Sequence, residues 1–426
     1  MTTPTSTNPM TAAPPSPLPE QADAVVIGAG IVGLATARAI QLSDPKLSVV
    51  VVDKETTVAG HQSGHNSGVI HAGLYYAPGS QKAELCQQGR DELMAWCDRH
   101  EVPWRRCGKV VVATDPDELA QLDVLAGRAE ANGIATVRLD PAGLAEIEPH
   151  AAGLAALHVP STAIVDYKAV CAGLAEGIRE RGGVIVLGAR VDTIDRAPVA
   201  PPGSVVVHTS AGSIRAPRLA NCAGLASDRV TEAAGDQPGA AIMPFRGEYH
   251  ELIPARRHLV RTLIYPVPDP RFPFLGVHLT SMIDGTVHAG PNAVLALSRE
   301  GYRRRDIDRH DLMAMAADAS SWRLARRYWR TGMGEVGRSL SRARFVRALQ
   351  PLVPELTLED LVPAGSGVRA QAVRKDGTLL DDFAFAGNDG ATSGGARVVH
   401  VVNAPSPAAT ASLAIGRVVA GRLLST

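Results

Sequence analysis

A short apolar run near the start of the chain leads directly into a glycine-rich turn, and this junction constrains the fold more than any other feature. Residues 24–27 (Ala-Val-Val-Ile) form a continuous apolar segment, as expected of a parallel strand buried on both faces. Residues 28–33 read Gly-Ala-Gly-Ile-Val-Gly and lead into a segment with helical periodicity that extends to about residue 42. Residues 47–52 form a second apolar run, which ends at Asp53. The order strand, turn, helix, strand predicts a βαβ unit.

The spacing of the glycines predicts that this unit binds a dinucleotide. Gly28 permits the tight turn after the strand, Gly30 lets the backbone approach a pyrophosphate, and Gly33 lets helix and strand pack closely. The pyrophosphate then lies at the helix N-terminus, where free N–H groups and the helix dipole favour negative charge. Asp53 follows Gly33 by twenty residues, which places a carboxylate where it can accept hydrogen bonds from a ribose. The predicted contacts in the turn are Gly28, Ala29, Gly30, Ile31, Val32 and Gly33.

The end of the chain repeats the order of its beginning. Residues 397–402 are predicted to form a strand, residues 403–407 a polar turn, and the following residues a helix from near Pro407 to about residue 422. A fold opened by a βαβ unit and completed by the last strand and helix favours FAD over NAD. We predict an α/β protein with a Rossmann-like FAD-binding domain assembled from N- and C-terminal segments and an inserted α+β substrate domain built on an antiparallel sheet. The predicted boundaries are a disordered tail at 1–22, an FAD-binding domain at 23–100, 150–235 and 360–426, and a substrate domain at 101–149 and 236–359.

Composition excludes several classes of function. The formal net charge is zero and aromatic residues are only 4%, which argues against a nucleic-acid partner. No apolar run reaches the roughly 20 residues that a membrane-spanning helix needs. The five cysteines lack metal-ligand or redox spacing, and no basic residue precedes Arg38, so we expect no metal and no targeting segment. These features predict a cytoplasmic protein, with peripheral contact to the inner face of the membrane left open.

Residues 65–76 (His-Asn-Ser-Gly-Val-Ile-His-Ala-Gly-Leu-Tyr-Tyr) form the most specific motif. They resemble the signature of the L-2-hydroxyglutarate oxidases/dehydrogenases, in the D-amino-acid-oxidase-like superfamily of flavoproteins. The resemblance extends from about residue 24 to the C-terminus, with two departures: Asp53 stands where Glu is usual, and residues 314–338 match weakly. Further matching blocks are 107–109, 164–167, 246–249, 264–268, 272–278, 290–293, 299–303, 367–371 and 403–410.

The resemblance implies that FAD is the cofactor and that L-2-hydroxyglutarate is oxidised to 2-oxoglutarate. The hydrogen on C2 leaves as hydride to flavin N5 while a base takes the hydroxyl proton. A base that titrates near neutrality points to histidine, and His71 is the first candidate, ahead of His278 and His61. A small dicarboxylate also needs fixed positive charge, which Arg provides in a planar, bidentate form. The predicted substrate-binding residues are Arg246, Tyr265, His278, Asn292, Arg369 and Asn403.

The remaining cofactor contacts are predicted from the matching turns and from the segment before the final helix. The turn that ends at Gly224 resembles the second cofactor-contacting turn of such proteins, and the N-terminus of the final helix can stabilise negative charge on a reduced flavin. Beyond the glycine-rich turn, the predicted contacts are Asp53, Lys54, Ser63, His65, Asn66, Ser67, Gly68, Val191, Ala223, Gly224, Gly367, Val368, Ser406 and Ala408.

Alternatives stay open at this point. Another enzyme of the same superfamily could oxidise an amino acid, a secondary amine or glycerol 3-phosphate. A flavin-binding sensor without catalytic activity is a reading of a different class. The electron acceptor, oxygen or a quinone, and the oligomeric state are not determined by the sequence.

Overall fold

A computed structural model describes residues 17–196, 203–269, 275–388 and 395–425. In that part of the chain no helix is long and apolar enough to span a membrane. The helices are α1 (Ile31–Ser43), α2 (Gln81–Arg99), α3 (Asp117–Ala131), α4 (Pro141–Ile147), α5 (Tyr167–Glu180), α6 (Ser227–Ala233), α7 (Arg309–Ala317), α8 (Ala319–Leu340), α9 (Arg342–Leu349) and α10 (Ser412–Leu424).

The strands fall into four sheets. They are β1 (Ala24–Ile27), β2 (Val49–Val52), β3 (Val69–Ile70), β4 (Trp104–Arg106), β5 (Val110–Ala113), β6 (Val137–Leu139), β7 (Ala155–His158), β8 (Ala163–Val165), β9 (Val184–Val186), β10 (Val191–Asp195), β11 (Val205–Thr209), β12 (Gly212–Ala216), β13 (Arg218–Asn221), β14 (Ala241–Leu252), β15 (Leu263–Pro266), β16 (His278–Ser281), β17 (Val287–Gly290), β18 (Val294–Leu295), β19 (Leu361–Val373), β20 (Ala384–Asn388) and β21 (Arg397–Asn403).

The first sheet is built around the βαβ unit that the sequence predicts. Its order is β20-β21-β13-β1-β2-β9, and every pair is parallel except the edge pair β20 and β21. Strands β1 and β2 are buried throughout because both faces of the sheet are covered. Helices α1, α5 and α10 pack on one face, and the small antiparallel sheet β10-β11-β12 packs on the other. The predicted Rossmann-like fold is confirmed.

The second sheet is large and mostly antiparallel. Its order is β18-β14-β17-β16-β15-β5-β7-β6, and β19 pairs with β14 along nearly the whole length of both strands. In β5 alternate residues enter different cores: Val110 and Val112 join α9, whereas Val111 and Ala113 join α3. The fourth sheet is small and has the order β3-β8-β4.

Three segments differ from the predicted domain boundaries. Strand β19 belongs to the large sheet although the predicted boundary at 360 assigns it to the FAD-binding domain, and β7 likewise pairs with β5. Residues 17–22 lie in the predicted tail, yet Arg215 holds them in place, because its N–H donates to Glu20 and its carbonyl oxygen accepts from Ala22. Residues 1–16 lie outside the described residues. The division of the chain into two domains stays a prediction.

Candidate functional site

The glycine-rich turn is held tightly at the carboxyl end of β1. Gly28 has a φ of +108°, and a Cβ at this position would collide with the carbonyl group of Cys222. A Cβ on Gly33 would collide with the carbonyl group of Gly28, so helix α1 lies directly against the turn. Only glycine therefore satisfies both positions.

The N-terminus of α1 is open to an anionic group. Its N-cap residue, Gly30, provides no side-chain cap, and the first turn contains no acidic residue. The Ser63 hydroxyl accepts a hydrogen bond from the Ile31 N–H at 2.9 Å. The Asp53 carboxylate accepts one from the Ala29 N–H at 2.6 Å, which fixes the carboxylate beside the turn. The exposed helix dipole and the adjacent carboxylate fit the pyrophosphate and the ribose of a dinucleotide.

The loop after β2 connects this turn to the large sheet. The Asn66 side-chain amide donates to the carbonyl oxygens of Gln62 and Ser63 and accepts from the Gly68 N–H. Gln62 in turn accepts a hydrogen bond from the Ala370 N–H on β19 at 2.9 Å. Hydrogen bonds thus link the glycine-rich turn of the first sheet, through Ser63 and Gln62, to β19 of the second, and we call the region that these segments border the cofactor cleft.

Most of the other predicted cofactor residues lie on β19 or on the segments that follow β2, β13 and β21. A Cβ on Gly367 would collide with the His65 carbonyl oxygen, and Val368 is buried beside it on β19. The Ala223 N–H donates to Asn221, and Gly224 has a φ of +54°. Ser67 lies between Asn66 and Gly68; Ser406 and Ala408 precede α10; Val191 begins β10, two residues after Ala189, whose N–H donates to the Asp53 carbonyl oxygen.

Two of these residues are engaged elsewhere. The Lys54 ammonium forms ion pairs with Glu55 and Glu300 and lies 3.0 Å from the His61 ring. The His65 ring packs against Tyr302, with 4.4 Å between ring centroids. In addition, α10 begins at Ser412, not near Pro407, because residues 406–410 form a turn.

Next to the cleft, ionisable side chains and several aromatic rings lie together; Lys109, Tyr265 and His278 are buried, and the other members are partly buried. The His71 N–H donates to Thr410, and His71 Nε2 lies 3.4 Å from the Ser406 hydroxyl. The rings of Tyr265 and His278 stack with 3.9 Å between centroids. We call this group the buried pocket; its members are His71, Tyr75, Tyr76, Lys109, Tyr249, Tyr265, His278 and Arg369.

Both histidines of the buried pocket are neutral at ordinary pH. Burial, together with the nearby positive charges of Lys109 and Arg369, lowers the pKa of His71 to about 3. Burial also lowers the pKa of His278 to about 3, and its Nδ1–H donates to the Gly276 carbonyl oxygen at 2.9 Å. This differs from the expectation that His71 titrates near neutrality. The reason is that the imidazole is desolvated among positive charges.

Sequence reasoning missed Lys109 as a site residue. Lys109 is only 2% exposed, and burial lowers its pKa to about 7. Its ammonium lies 3.3 Å from the Tyr75 hydroxyl and 5.0 Å from the centre of the Tyr265 ring. The available signal was a lysine directly before the apolar run Val-Val-Val of β5, because a lysine side chain is rarely fully buried unless it is paired.

Three tyrosines of the buried pocket were missed as well. The Tyr249 hydroxyl is hydrogen-bonded to the Arg369 side chain, and Tyr76 is hydrogen-bonded to Ser406. Tyr75 packs under the Lys109 ammonium, 4.3 Å from the ring centre. All three lie in motifs that carry the resemblance, 65–76 and 246–249, which was the signal that could have found them.

The structure does not bring Arg246, Asn292 or Asn403 into the buried pocket. Arg246 is paired with Glu248, and the Asn292 amide donates to the Glu248 carboxylate while its oxygen accepts from the Glu248 N–H. Arg246 lies opposite Val368 in the β14–β19 pair, whereas Phe245 lies opposite Arg369, so the two arginines face opposite sides of the sheet.

Asn403 has a structural position. Its side-chain amide donates to the carbonyl oxygens of Leu380 and Asp382 and accepts from the Ala372 N–H. These bonds tie the end of β21 to β19 and leave the amide fully engaged.

Two groups of acidic and histidine side chains in the described ranges lie close enough to share a metal ion. In the first, formed by Glu55, His61 and Glu300, the Lys54 ammonium already binds the three side chains. In the second, Asp308 caps α7 and Asp311 pairs with Arg229, while His310 is exposed. The expectation that the protein has no metal stays a prediction.

Comparison with known proteins gives a consistent result. The family model described as FAD dependent oxidoreductase matches residues 23–422. An L-2-hydroxyglutarate dehydrogenase from Indibacter alkaliphilus is 46% identical over 400 residues, which cover 92% of this chain and 96% of the relative. The mitochondrial L-2-hydroxyglutarate dehydrogenase of Homo sapiens is 42% identical over 407 residues, covering 93% of this chain and 88% of the relative.

Solved structures with lower identity share the fold. The L-alpha-glycerophosphate oxidase from Mycoplasma pneumoniae, with FAD bound, is 22% identical, covers 96% of both chains and has a TM-score of 0.75. The glycine oxidase from Geobacillus kaustophilus is 17% identical, covers 95% of both chains and has a TM-score of 0.70. These likenesses establish the architecture.

Proposed function

The chain belongs to the FAD dependent oxidoreductases and, within them, to the family of L-2-hydroxyglutarate dehydrogenases, and from this premise we propose that it oxidises L-2-hydroxyglutarate to 2-oxoglutarate. One observation of the structure carries the proposal. Arg369 and two neutral histidines lie together in the buried pocket beside the cofactor cleft. A dicarboxylate with a hydroxyl group needs both a fixed cation and a neutral base.

The cofactor is FAD, and when bound it accepts the hydride that leaves C2 of the substrate. The N-terminus of α1 would hold its pyrophosphate and Asp53 its ribose, because both lie at the glycine-rich turn and the first turn of α1 contains no acidic residue. A Cβ at Gly30 would come within 3.1 Å of the Ser63 hydroxyl, so a larger residue would require that side chain to shift.

We assign the general base to His71. Its Nε2 atom faces the Ser406 hydroxyl at 3.4 Å, on the side of the buried pocket nearest to α10. Because burial keeps this imidazole unprotonated, Nε2 is free to take the proton of the 2-hydroxyl as C2 is oxidised. The negative charge of a bound substrate then favours the imidazolium that results.

We assign one substrate carboxylate to Arg369. Its guanidinium provides paired N–H donors, and the hydrogen bond with Tyr249 fixes its position. Across the described ranges, no ion pair involving Arg369 is found, in contrast to the arginines that face Glu248.

We further propose that α8 contacts a membrane surface, where a quinone would accept the electrons. Trp329, Met333, Val336 and Leu340 are exposed at spacings of three and four residues, which places them on one face of α8 after its kink at Tyr328, and Trp322 is exposed before the kink. Four arginines, 323, 326, 327 and 330, lie along the same helix. An exposed apolar stripe beside arginines fits an anionic lipid surface, whereas a second copy would set arginine against arginine.

Vesicle binding tests this contact. The purified protein should sediment with vesicles that contain an anionic phospholipid, and replacing Trp322 and Trp329 with serine should abolish sedimentation without changing flavin content. If the double variant sediments as the parent does, α8 is not the contact.

Anaerobic titration of the flavin absorbance tests the proposed reaction. L-2-hydroxyglutarate should bleach the yellow protein, whereas D-2-hydroxyglutarate, L-glutamate, sarcosine and glycerol 3-phosphate should not. Bleaching by one of the amines or by glycerol 3-phosphate instead would assign the chain to another reaction of the superfamily. A flavin that no compound bleaches would indicate a sensor.

A further inference from the structure

The ammonium of Lys109 is a buried cation, and the described residues that surround it are aromatic or neutral. Lys109 is 2% exposed, and its Nζ atom lies over the Tyr75 ring at 4.3 Å and near the Tyr265 ring at 5.0 Å. Its hydrogen-bond partner is the Tyr75 hydroxyl at 3.3 Å. No carboxylate of the described residues pairs with it, although Lys54 and Lys82 both have acidic partners. A buried charge normally requires a counter-charge.

Counting the charges in the buried pocket identifies a substrate carboxylate as the counter-charge of Lys109. A dicarboxylate brings two negative charges into the buried pocket, and Arg369 neutralises one of them. His71 and His278 are neutral, because burial lowers the pKa of both to about 3. Among the described residues of the buried pocket, Lys109 is therefore the group that can supply the second positive charge.

We propose that Lys109 is the second cation of the substrate site, and that its ammonium binds one carboxylate of the dicarboxylate while Arg369 binds the other. This pairing makes Lys109 a determinant of the preference for dicarboxylates over monocarboxylates. The inference rests on the proposed function and deepens it.

The environment of Lys109 gives this role a characteristic pH dependence. The groups that face it are Tyr75, Tyr265, His71, His278 and Cys86, and none is a carboxylate. Burial lowers the pKa of Lys109 to about 7, so the free protein loses this charge as pH rises above 7. Binding of a dicarboxylate must then be accompanied by proton uptake, and affinity should fall about tenfold per pH unit above 7.

The test uses the FAD-loaded protein and two ligands that do not reduce it. 2-Oxoglutarate and the monocarboxylate 2-oxobutyrate are titrated from pH 6 to 9, and binding is read from the change in flavin absorbance. The variants are Lys109→Met, Lys109→Arg and, as a matched control, Lys46→Met, which removes an exposed lysine in the loop between α1 and β2.

In the parent and in Lys46→Met, 2-oxoglutarate should bind more tightly than 2-oxobutyrate and lose affinity above pH 7. In Lys109→Met, 2-oxoglutarate should bind about 10²-fold more weakly at pH 6, the preference over 2-oxobutyrate should disappear and the pH dependence should be lost. Lys109→Arg should retain the preference without the pH dependence, because its guanidinium stays charged. This third variant keeps the test decisive even if Lys109→Met fails to fold.

Three results would overturn the proposal. The first is an unchanged preference in Lys109→Met, and the second is a pH dependence that persists in Lys109→Arg. The third is a Lys109→Met variant that binds 2-oxoglutarate as the parent does but is reduced more slowly by L-2-hydroxyglutarate, which would make Lys109 a proton acceptor. Failure of the proposed function is distinguishable, because the parent itself would then not be bleached by L-2-hydroxyglutarate.

Discussion

Arg246 on β14 and Arg369 on β19 occupy adjacent rows of one strand pair but face opposite sides of the large sheet. On the side of Arg246, a single carboxylate, Glu248, is bound by Arg246, Arg304, Asn292 and Ser339. On the side of Arg369, two cations and two neutral histidines lie in the buried pocket, and no carboxylate of the part of the chain that the structure describes pairs with the cations. On the side of Arg246, the carboxylate is paired within the protein and stabilises the fold. On the side of Arg369, we propose that the carboxylates of the substrate pair with the cations.

The largest expected effect concerns catalysis in the buried pocket. Replacing His71 with asparagine keeps similar volume and hydrogen-bonding capacity but removes the proton acceptor. Flavin reduction by L-2-hydroxyglutarate should slow by about 10²–10⁴-fold in anaerobic stopped-flow, while FAD content is unchanged. His310→Asn, at an exposed position on α7, is the control and should match the parent. A rate for His71→Asn within a few-fold of the parent would transfer the base assignment to His278.

The next-largest effect separates the contribution of the Arg369 charge from that of its hydrogen-bonding geometry. Arg369→Lys keeps one positive charge but loses the paired N–H donors and the hydrogen bond to Tyr249. We expect substrate affinity to fall by about 1.5–3 kcal/mol, measured as the dissociation constant of 2-oxoglutarate. An unchanged constant would reduce Arg369 to a structural role.

On the side of Arg246, a substitution should change the stability of the fold and leave substrate affinity unchanged. Arg246→Met leaves Glu248 buried with one partner fewer, although Arg304 still holds it. The free energy of unfolding should fall by about 1–3 kcal/mol in urea denaturation, with the 2-oxoglutarate affinity of the folded protein unchanged. Loss of that affinity at unchanged stability would contradict the distinction between the two sides.

The smallest effect is a pH dependence of stability. Burial lowers the pKa of His71 to about 3 in the folded protein, whereas in the unfolded chain it returns to its ordinary value near 6.5. Between these values the unfolded state binds more protons, so stability falls as pH decreases. Between pH 7 and pH 6, the parent should lose about 0.7 kcal/mol more than His71→Asn. Equal losses in both proteins would show that His71 is solvated.

The two parts of the site were not equally predictable from sequence. The cofactor cleft was predictable, because the backbone requires glycine at positions 28 and 33, and the spacing of these glycines is visible in the sequence. Which face of the large sheet Arg246 and Arg369 occupy depends on the register of β14 and β19. That register pairs residues more than a hundred positions apart and is irregular between Glu248 and His250. The apolar run after Lys109 was a local signal of its burial, but the lack of an acidic partner among the described residues is visible only in the folded chain.

Binding of 2-oxoglutarate to two FAD-loaded arginine variants tests the central claim most directly. Arg369→Met removes a cation that has no acidic partner among the described residues, whereas Arg304→Met removes a half-exposed cation paired with Glu248. If the unpaired cations form the substrate site, Arg369→Met should weaken binding by about 10²-fold or more, and Arg304→Met should bind as the parent does. Equal weakening in both variants, or none in Arg369→Met, would contradict the account.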